Sequence, residues 1–152
     1  MKTLKDFNFK NKRVLLRCDF NVPLSEKGEI LDDFKIRQTL PTINYLLEKG
    51  AKLLLMSHLG RPEGKVVEGL RLTSVQDRLM EYLDLSVTKA PDCVGPEIEK
   101  WMKEMQPGEI LLLENIQFNP GEKKNDQNFA KTLASYADIF IMEAFGQAHR
   151  NY

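Results

Sequence analysis

The sequence predicts a three-layer α/β/α domain built on a mainly parallel sheet. Three observations point there. Short apolar runs alternate with longer segments of helical periodicity. The short runs are near-continuously apolar rather than alternating, as expected of strands buried on both faces. Polar and charged residues collect directly after the strands, where loops of an open parallel sheet share one edge.

The first strand is read at Arg13–Cys18. A helix follows from Asp33 to Lys49, with Ile36, Leu40, Ile43 and Leu47 on one face and Gly50 as the residue that ends it. Pro41 conflicts locally and should kink this helix or delay its start. Lys52–Ser57 reads as the second strand. Ser74–Leu83 reads as a helix, with Thr73 and Gln76 spaced for a capping box. Ser86–Lys89 is a weaker strand. Gly95–Met105 is helical, opened by Pro96 and stopped by Pro107-Gly108. Glu109–Leu113 is a strand, Asp126–Tyr136 a helix with Phe129, Leu133 and Tyr136 on one side, and Asp138–Met142 the last of five strands. No internal repeat or linker interrupts this order. The final residues, Arg150-Asn151-Tyr152, fall in a loop just after a strand, which suggests a piece of a longer protein.

A chain of 152 residues is one domain by length and large enough for a substantial core. With 42% apolar and 29% charged residues it is globular in composition. The 22 basic and 22 acidic side chains cancel, which argues against a nucleic-acid binder and makes any anion site local. The two cysteines, Cys18 and Cys93, have no metal or redox spacing and suit a reducing compartment. No apolar run approaches the roughly 20 residues of a membrane span, so a cytoplasmic protein without membrane contact is expected.

Four strands are each followed by functional groups: Asp19-Phe20-Asn21-Val22-Pro23, His58-Leu59-Gly60-Arg61-Pro62, Glu114-Asn115-Ile116-Gln117-Phe118, and Glu143 through Arg150. Gathered on one sheet edge, these loops form a site for a small polar or anionic ligand. Read as residues alone, they also admit, less readily, a set of turns and caps. His58, His149 and Glu143 lack close metal-ligand spacing, and no metal site is expected. Phe7, Trp101 and Phe118 are read as packing residues, and Lys123-Lys124 as a solvated turn.

At these same loops the sequence resembles phosphoglycerate kinase. The matching motifs are Arg17-Cys18-Asp19-Phe20-Asn21-Val22-Pro23, Ser57-His58-Leu59-Gly60-Arg61-Pro62, Leu113-Glu114-Asn115, and Ala144-Phe145-Gly146 to Ala148-His149-Arg150. The resemblance runs from about Lys5 to Arg150 and implies a Rossmann-like fold over residues 1–152. It further implies the substrate-binding half of a monomeric glycolytic kinase. That enzyme moves a phosphoryl group reversibly between ATP or ADP and 3-phosphoglycerate or 1,3-bisphosphoglycerate. The Mg-nucleotide would belong to a C-terminal domain absent from this chain, with no cofactor bound tightly here and no turnover by this half alone. By the resemblance, Asp19 and Asn21 position the hydroxyl and carboxylate of the acid. His58, Arg61 and Arg150 hold its phosphate. Lys35 occupies the place of an arginine that stabilises the transferring phosphoryl.

Three residues depart from the family pattern. Gln117 and Lys35 stand where arginines are usual, and Glu143 where an aspartate is usual. Gln117 removes a charge from the phosphate pocket, which should lower affinity about ten- to a hundredfold. Lys35 keeps its charge but not the planar fork. Arg37, about 200° further round a helix, should point away and cannot replace it. These departures also admit a non-catalytic anion- or partner-binding homologue.

Overall fold

The structure, a computed structural model, describes residues 3–123, 127–142 and 147–150; for 123 and 147–150 it describes the backbone. The chain runs β1 (Arg13–Arg17), α1 (Phe34–Glu48), β2 (Lys52–Met56), α2 (Thr73–Leu83), β3 (Val87–Lys89), α3 (Pro96–Glu104), β4 (Ile110–Leu112), α4 (Pro120–Lys123), α5 (Gln127–Ser135), β5 (Ile139–Met142) and β6 (Gln147–Arg150). All five expected strands are present, each within a residue or two of its expected bounds.

The strands form one sheet in the order β3-β4-β2-β1-β5-β6. The first five are mutually parallel. β6 was not foreseen. It returns antiparallel along β5, with Gln147 opposite Met142 and Arg150 opposite Ile139.

Period-two alternation explains why the strands are apolar throughout. Val14, Leu16, Leu53, Leu55, Ile110, Leu112, Ile139 and Ile141 face one core, which also receives Ile36, Ile43 and Leu46 of α1 and Val75 and Leu79 of α2. Leu15, Leu54, Met56, Leu111 and Leu113 face the other, with Ile98 and Met102 of α3 and Phe129 and Leu133 of α5. Residues of both sets are fully buried, each large side chain contributing roughly 1.5–3 kcal/mol. The sheet is therefore covered on both faces by helices, which is the three-layer architecture. The connections that move outward from β1 use one face, and those that return use the other. A right-handed crossover requires this change of face when strand order reverses.

Two local expectations are corrected. α1 does not start late at Pro41 but runs unbroken from Phe34 through it. Its buried stripe is Ile36, Thr39, Thr42, Ile43 and Leu46, with Leu40 and Leu47 half-buried, and this packing offsets the missing proline N–H. The capping box at α2 does not form. Thr73 is the first helical residue, the Leu72 N–H donates to Glu114 Oε1 at 2.8 Å, and the Gln76 amide donates to the Val87 carbonyl at 2.7 Å. A buried carboxylate from the loop after β4 binds the Leu72 N–H at the helix start instead.

The two helices on the β1–β2 face are joined through Asp33. Its carboxylate accepts from Arg37 Nε at 2.8 Å, Arg78 Nη1 at 2.7 Å and the Tyr82 hydroxyl at 2.5 Å. Arg37 is thus turned away from the carboxyl rim, as its helical position required. Cys18 and Cys93 are free and buried, and burial pushes both thiols above their ordinary range. Among the described residues no helix is long and apolar enough to cross a membrane.

Candidate functional site

Three strands deliver their following loops to one rim, and Ser57 ties these loops together. Its Oγ accepts the Phe20 N–H at 2.9 Å and donates to the His58 carbonyl at 3.1 Å, while its own carbonyl accepts the Ile116 N–H at 3.1 Å. Asn21 Oδ1 accepts the Gly60 N–H at 2.9 Å. Gly60 has φ +64°, and a Cβ there would sit 2.7 Å from Leu70 Cδ2, so only glycine fits the approach. The Gln117 carbonyl accepts the Gly64 N–H at 2.9 Å, closing the loop after β2 onto the loop after β4.

Those two loops diverge toward opposite faces of the sheet, because α2 packs on one face and α5 on the other. A crevice must open between them, as at strand-order reversals in open α/β sheets. A cavity of about 410 Å³ lies there, lined by Arg61, Glu63, Gly64, Gln117 and Glu122.

The charges around it are only loosely committed. Lys35 Nζ lies 3.2 Å from Asp19 Oδ2, with both side chains about half exposed. Such a pair contributes roughly 0–1 kcal/mol and is readily exchanged for a ligand. Asp19 also accepts the Asn21 N–H at 3.2 Å, which fixes the turn between them. Arg61 is exposed and pairs with no carboxylate among the described residues. His58 is half-buried. Burial lowers its pKa below the ordinary 6.5, Asp19 opposes this, and Arg17 reinforces it. The imidazole is therefore neutral at neutral pH, a hydrogen-bonding group rather than a cation.

The structure thus brings Asp19, Asn21, Lys35, His58, Arg61 and Gln117 to one rim. The antiparallel return of β6 carries the Arg150 backbone to the level of Ile139, roughly 10 Å down the strand from that rim. Of Arg150, expected to hold the phosphate, the backbone alone is described. Glu143 and the motif residues 144–146 lie outside the described residues, and of His149 the backbone alone is described.

Sequence reasoning missed Arg17 and Glu122. Arg17 Nη2 bonds Glu122 Oε1 at 3.1 Å across a sequence separation of 105 residues. A charged residue closing an apolar strand was the one visible sign of it. Glu114 and Asn115 were quoted as motif residues, yet both are buried within the scaffold.

Fold and rim together define an open, doubly wound α/β domain with a polar crevice where strand order reverses. The chain belongs to the phosphoglycerate kinase family, whose model matches residues 4–152. It is 57% identical over 148 residues to the phosphoglycerate kinase of Moorella thermoacetica, covering 97% of this chain and 37% of that protein. It is 55% identical over 147 residues to that of Picosynechococcus, again covering 97% and 37%. Among solved structures, phosphoglycerate kinase from Pyrococcus horikoshii superposes with a TM-score of 0.82 at 35% identity, over 99% of this chain and 38% of that one. The Coxiella burnetii phosphoglycerate kinase gives 0.79 at 36% identity, over 93% and 34%. The chain spans little more than a third of the length of these relatives.

Proposed function

We propose that these 152 residues are the 3-phosphoglycerate-binding domain of a cytoplasmic, monomeric phosphoglycerate kinase. The observation that carries this reading is the meeting of Asp19, Asn21, Lys35, His58, Arg61 and Gln117 on one rim, where Arg61 and Gln117 line a crevice, in a member of that family. The ligand offers a hydroxyl, a carboxylate and a phosphate. Asp19 accepts from the hydroxyl. The Asn21 oxygen is committed to Gly60, which leaves its NH₂ to donate to the carboxylate. Arg61, with its planar fork, and neutral His58 hold the phosphate, and the Gln117 amide adds a donor without charge. Lys35 leaves Asp19 for the charge that develops on the transferring phosphoryl group. The acceptor carboxylate is ionised at neutral pH, so these residues need supply no general base.

In the parent enzyme Mg-ATP would supply the phosphoryl group, or Mg-ADP accept it in the reverse direction, and the ion would neutralise its charge. Among the described residues no three metal-binding side chains cluster. The Mg-nucleotide would be held by a C-terminal domain outside these residues.

The test is a titration of the chain with 3-phosphoglycerate, followed by calorimetry and amide NMR. Resonances of Asp19, Gly60, Arg61 and Gly64 should shift, and binding should weaken as salt screens the exposed cations. Arg61→Ala should weaken it about ten- to a hundredfold, the loss of a charge-assisted hydrogen bond. Unchanged affinity in that variant would refute the assignment. Gln117→Arg places a second guanidinium on the crevice wall and should tighten binding by about tenfold. A neutral or weakening effect would show that Gln117 does not face the phosphate.

A further inference from the structure

The cavity at the rim is an odd place for an anion as it stands. Its lining carries one guanidinium, Arg61, against two carboxylates, Glu63 and Glu122. A further cation in reach of the cavity wall is Arg17, at the end of the central strand β1, and Glu122 holds it at 3.1 Å. Neither partner is deeply buried, the side chains being 35% and 22% exposed, so their bond is a weak one that a stronger anion can replace. Glu122 touches both Arg17 and the cavity; it stands between the ligand space and the cation that the space lacks. His58 lies within the fields of Arg17, Glu122, Asp19 and Lys35, which places all of these charges in one neighbourhood.

We infer that Glu122 is a built-in competitor for Arg17, an internal carboxylate that the ligand's phosphate must displace before Arg17 joins the site. The inference rests on the proposed binding of 3-phosphoglycerate and adds a selection to it. A phosphate carries more charge than a carboxylate and matches the guanidinium fork through more oxygens, so it outcompetes Glu122. A carboxylate ligand of the same size without phosphate is matched by Glu122 and gains nothing from the exchange. Arg17 is then a binding residue only for phosphorylated acids. Glu122 sets the threshold, a role that requires its charge rather than its shape.

The experiment uses the 152-residue chain, its Glu122→Gln, Glu122→Ala, Arg61→Ala and Arg17→Gln variants and the Arg17→Gln/Glu122→Gln double variant. Each is titrated with 3-phosphoglycerate and with glycerate, and followed by calorimetry and by the amide shifts of Gly60 and Gly64. Removing the competitor should tighten 3-phosphoglycerate binding about three- to tenfold in both Glu122 variants. The gain should vanish in the double variant relative to Arg17→Gln alone, because it runs through Arg17. Glycerate should gain less than 3-phosphoglycerate. Equal affinity of the Glu122 variants and the unmodified chain, with Arg61→Ala still weakened, would overturn the competition and leave the proposed function standing. A gain that survives in the double variant would also overturn it, by reducing Glu122 to a distant repulsive charge. Absence of any 3-phosphoglycerate binding, in the variants as in the unmodified chain, would remove both readings together.

Discussion

Glu114→Ala is expected to destabilise the fold by about 3–5 kcal/mol, the range for stranding buried charges by deleting their partner. The Glu114 side chain is 1% exposed. Its Oε1 accepts two backbone N–H groups, from Leu72 at 2.8 Å and Asn115 at 2.9 Å. Its Oε2 accepts from Lys89 at 2.5 Å and Arg71 at 3.2 Å. Alanine leaves two amides without an acceptor and Lys89 without its carboxylate, while Arg71 keeps only Glu68. Glu114→Gln should recover little, since its NH₂ must confront either the amides or the cations. Burial alone would raise the Glu114 pKa, but the Lys89 hydrogen bond and the two backbone donors outweigh it and hold the carboxyl below its ordinary 4.5. A lowered folded-state pKa means the contribution is complete above 4.5 and is lost as pH falls through the folded value. Urea unfolding at neutral pH should show the full gap between parent and variant, and the gap should narrow in acid below that value. A gap that widens in acid would reverse the sign of this argument.

Asn115→Ala should be nearly as damaging, at about 2–4 kcal/mol from three lost hydrogen bonds and the polar groups they leave behind. Asn115 is fully buried. Its Nδ2 donates to the carbonyls of Leu59 at 2.8 Å and Leu70 at 2.9 Å, and its Oδ1 accepts the Gln117 N–H at 3.1 Å. It therefore sets the spacing between the loop bearing Arg61 and the turn bearing Gln117. Beyond the loss in urea midpoint, the amides of Gly60 and Gly64 should exchange faster, because Asn115 no longer holds the loop that carries them. 3-Phosphoglycerate binding should weaken with them. A variant that loses stability with unchanged exchange at both glycines would show that Asn115 supports the core and not the rim.

These two residues also show where a sequence stops being legible. Glu114 and Asn115 sit in a motif at a strand end, and residue type marks them as polar oddities. Only their surroundings show that both are consumed by the scaffold. The strands were readable because a strand covered on both faces must be apolar at nearly every position, and Leu53-Leu54-Leu55 leaves little else to choose. The helix of Ser74–Leu83 was readable by period, but its capping box was not the one formed, since Glu114, forty-two residues away, reached Leu72 instead. β6 escaped because Gln147–Arg150 carries no apolar run; it is held by its partner strand, and pairing is invisible in a single segment. Arg17 escaped for the same reason. Asp19, Asn21, His58 and Arg61 were found because a parallel sheet sends every strand's following loop to one edge, a rule of topology that needs no contact map.

Asp33, bound by Arg37, Arg78 and Tyr82, has a mechanical effect on its neighbour two positions along. With the first turn of α1 moored to α2, the backbone beneath Lys35 is not free to travel. Whatever distance its ammonium covers between Asp19 and an incoming ligand comes from rotation about the four-carbon stem, in the manner of a crane arm on a bolted base. Rotamer exchange at an exposed side chain takes picoseconds to nanoseconds, whereas displacement of packed helices takes microseconds or longer. Movement of this charge away from Asp19 should therefore be far faster than any displacement of the two helices.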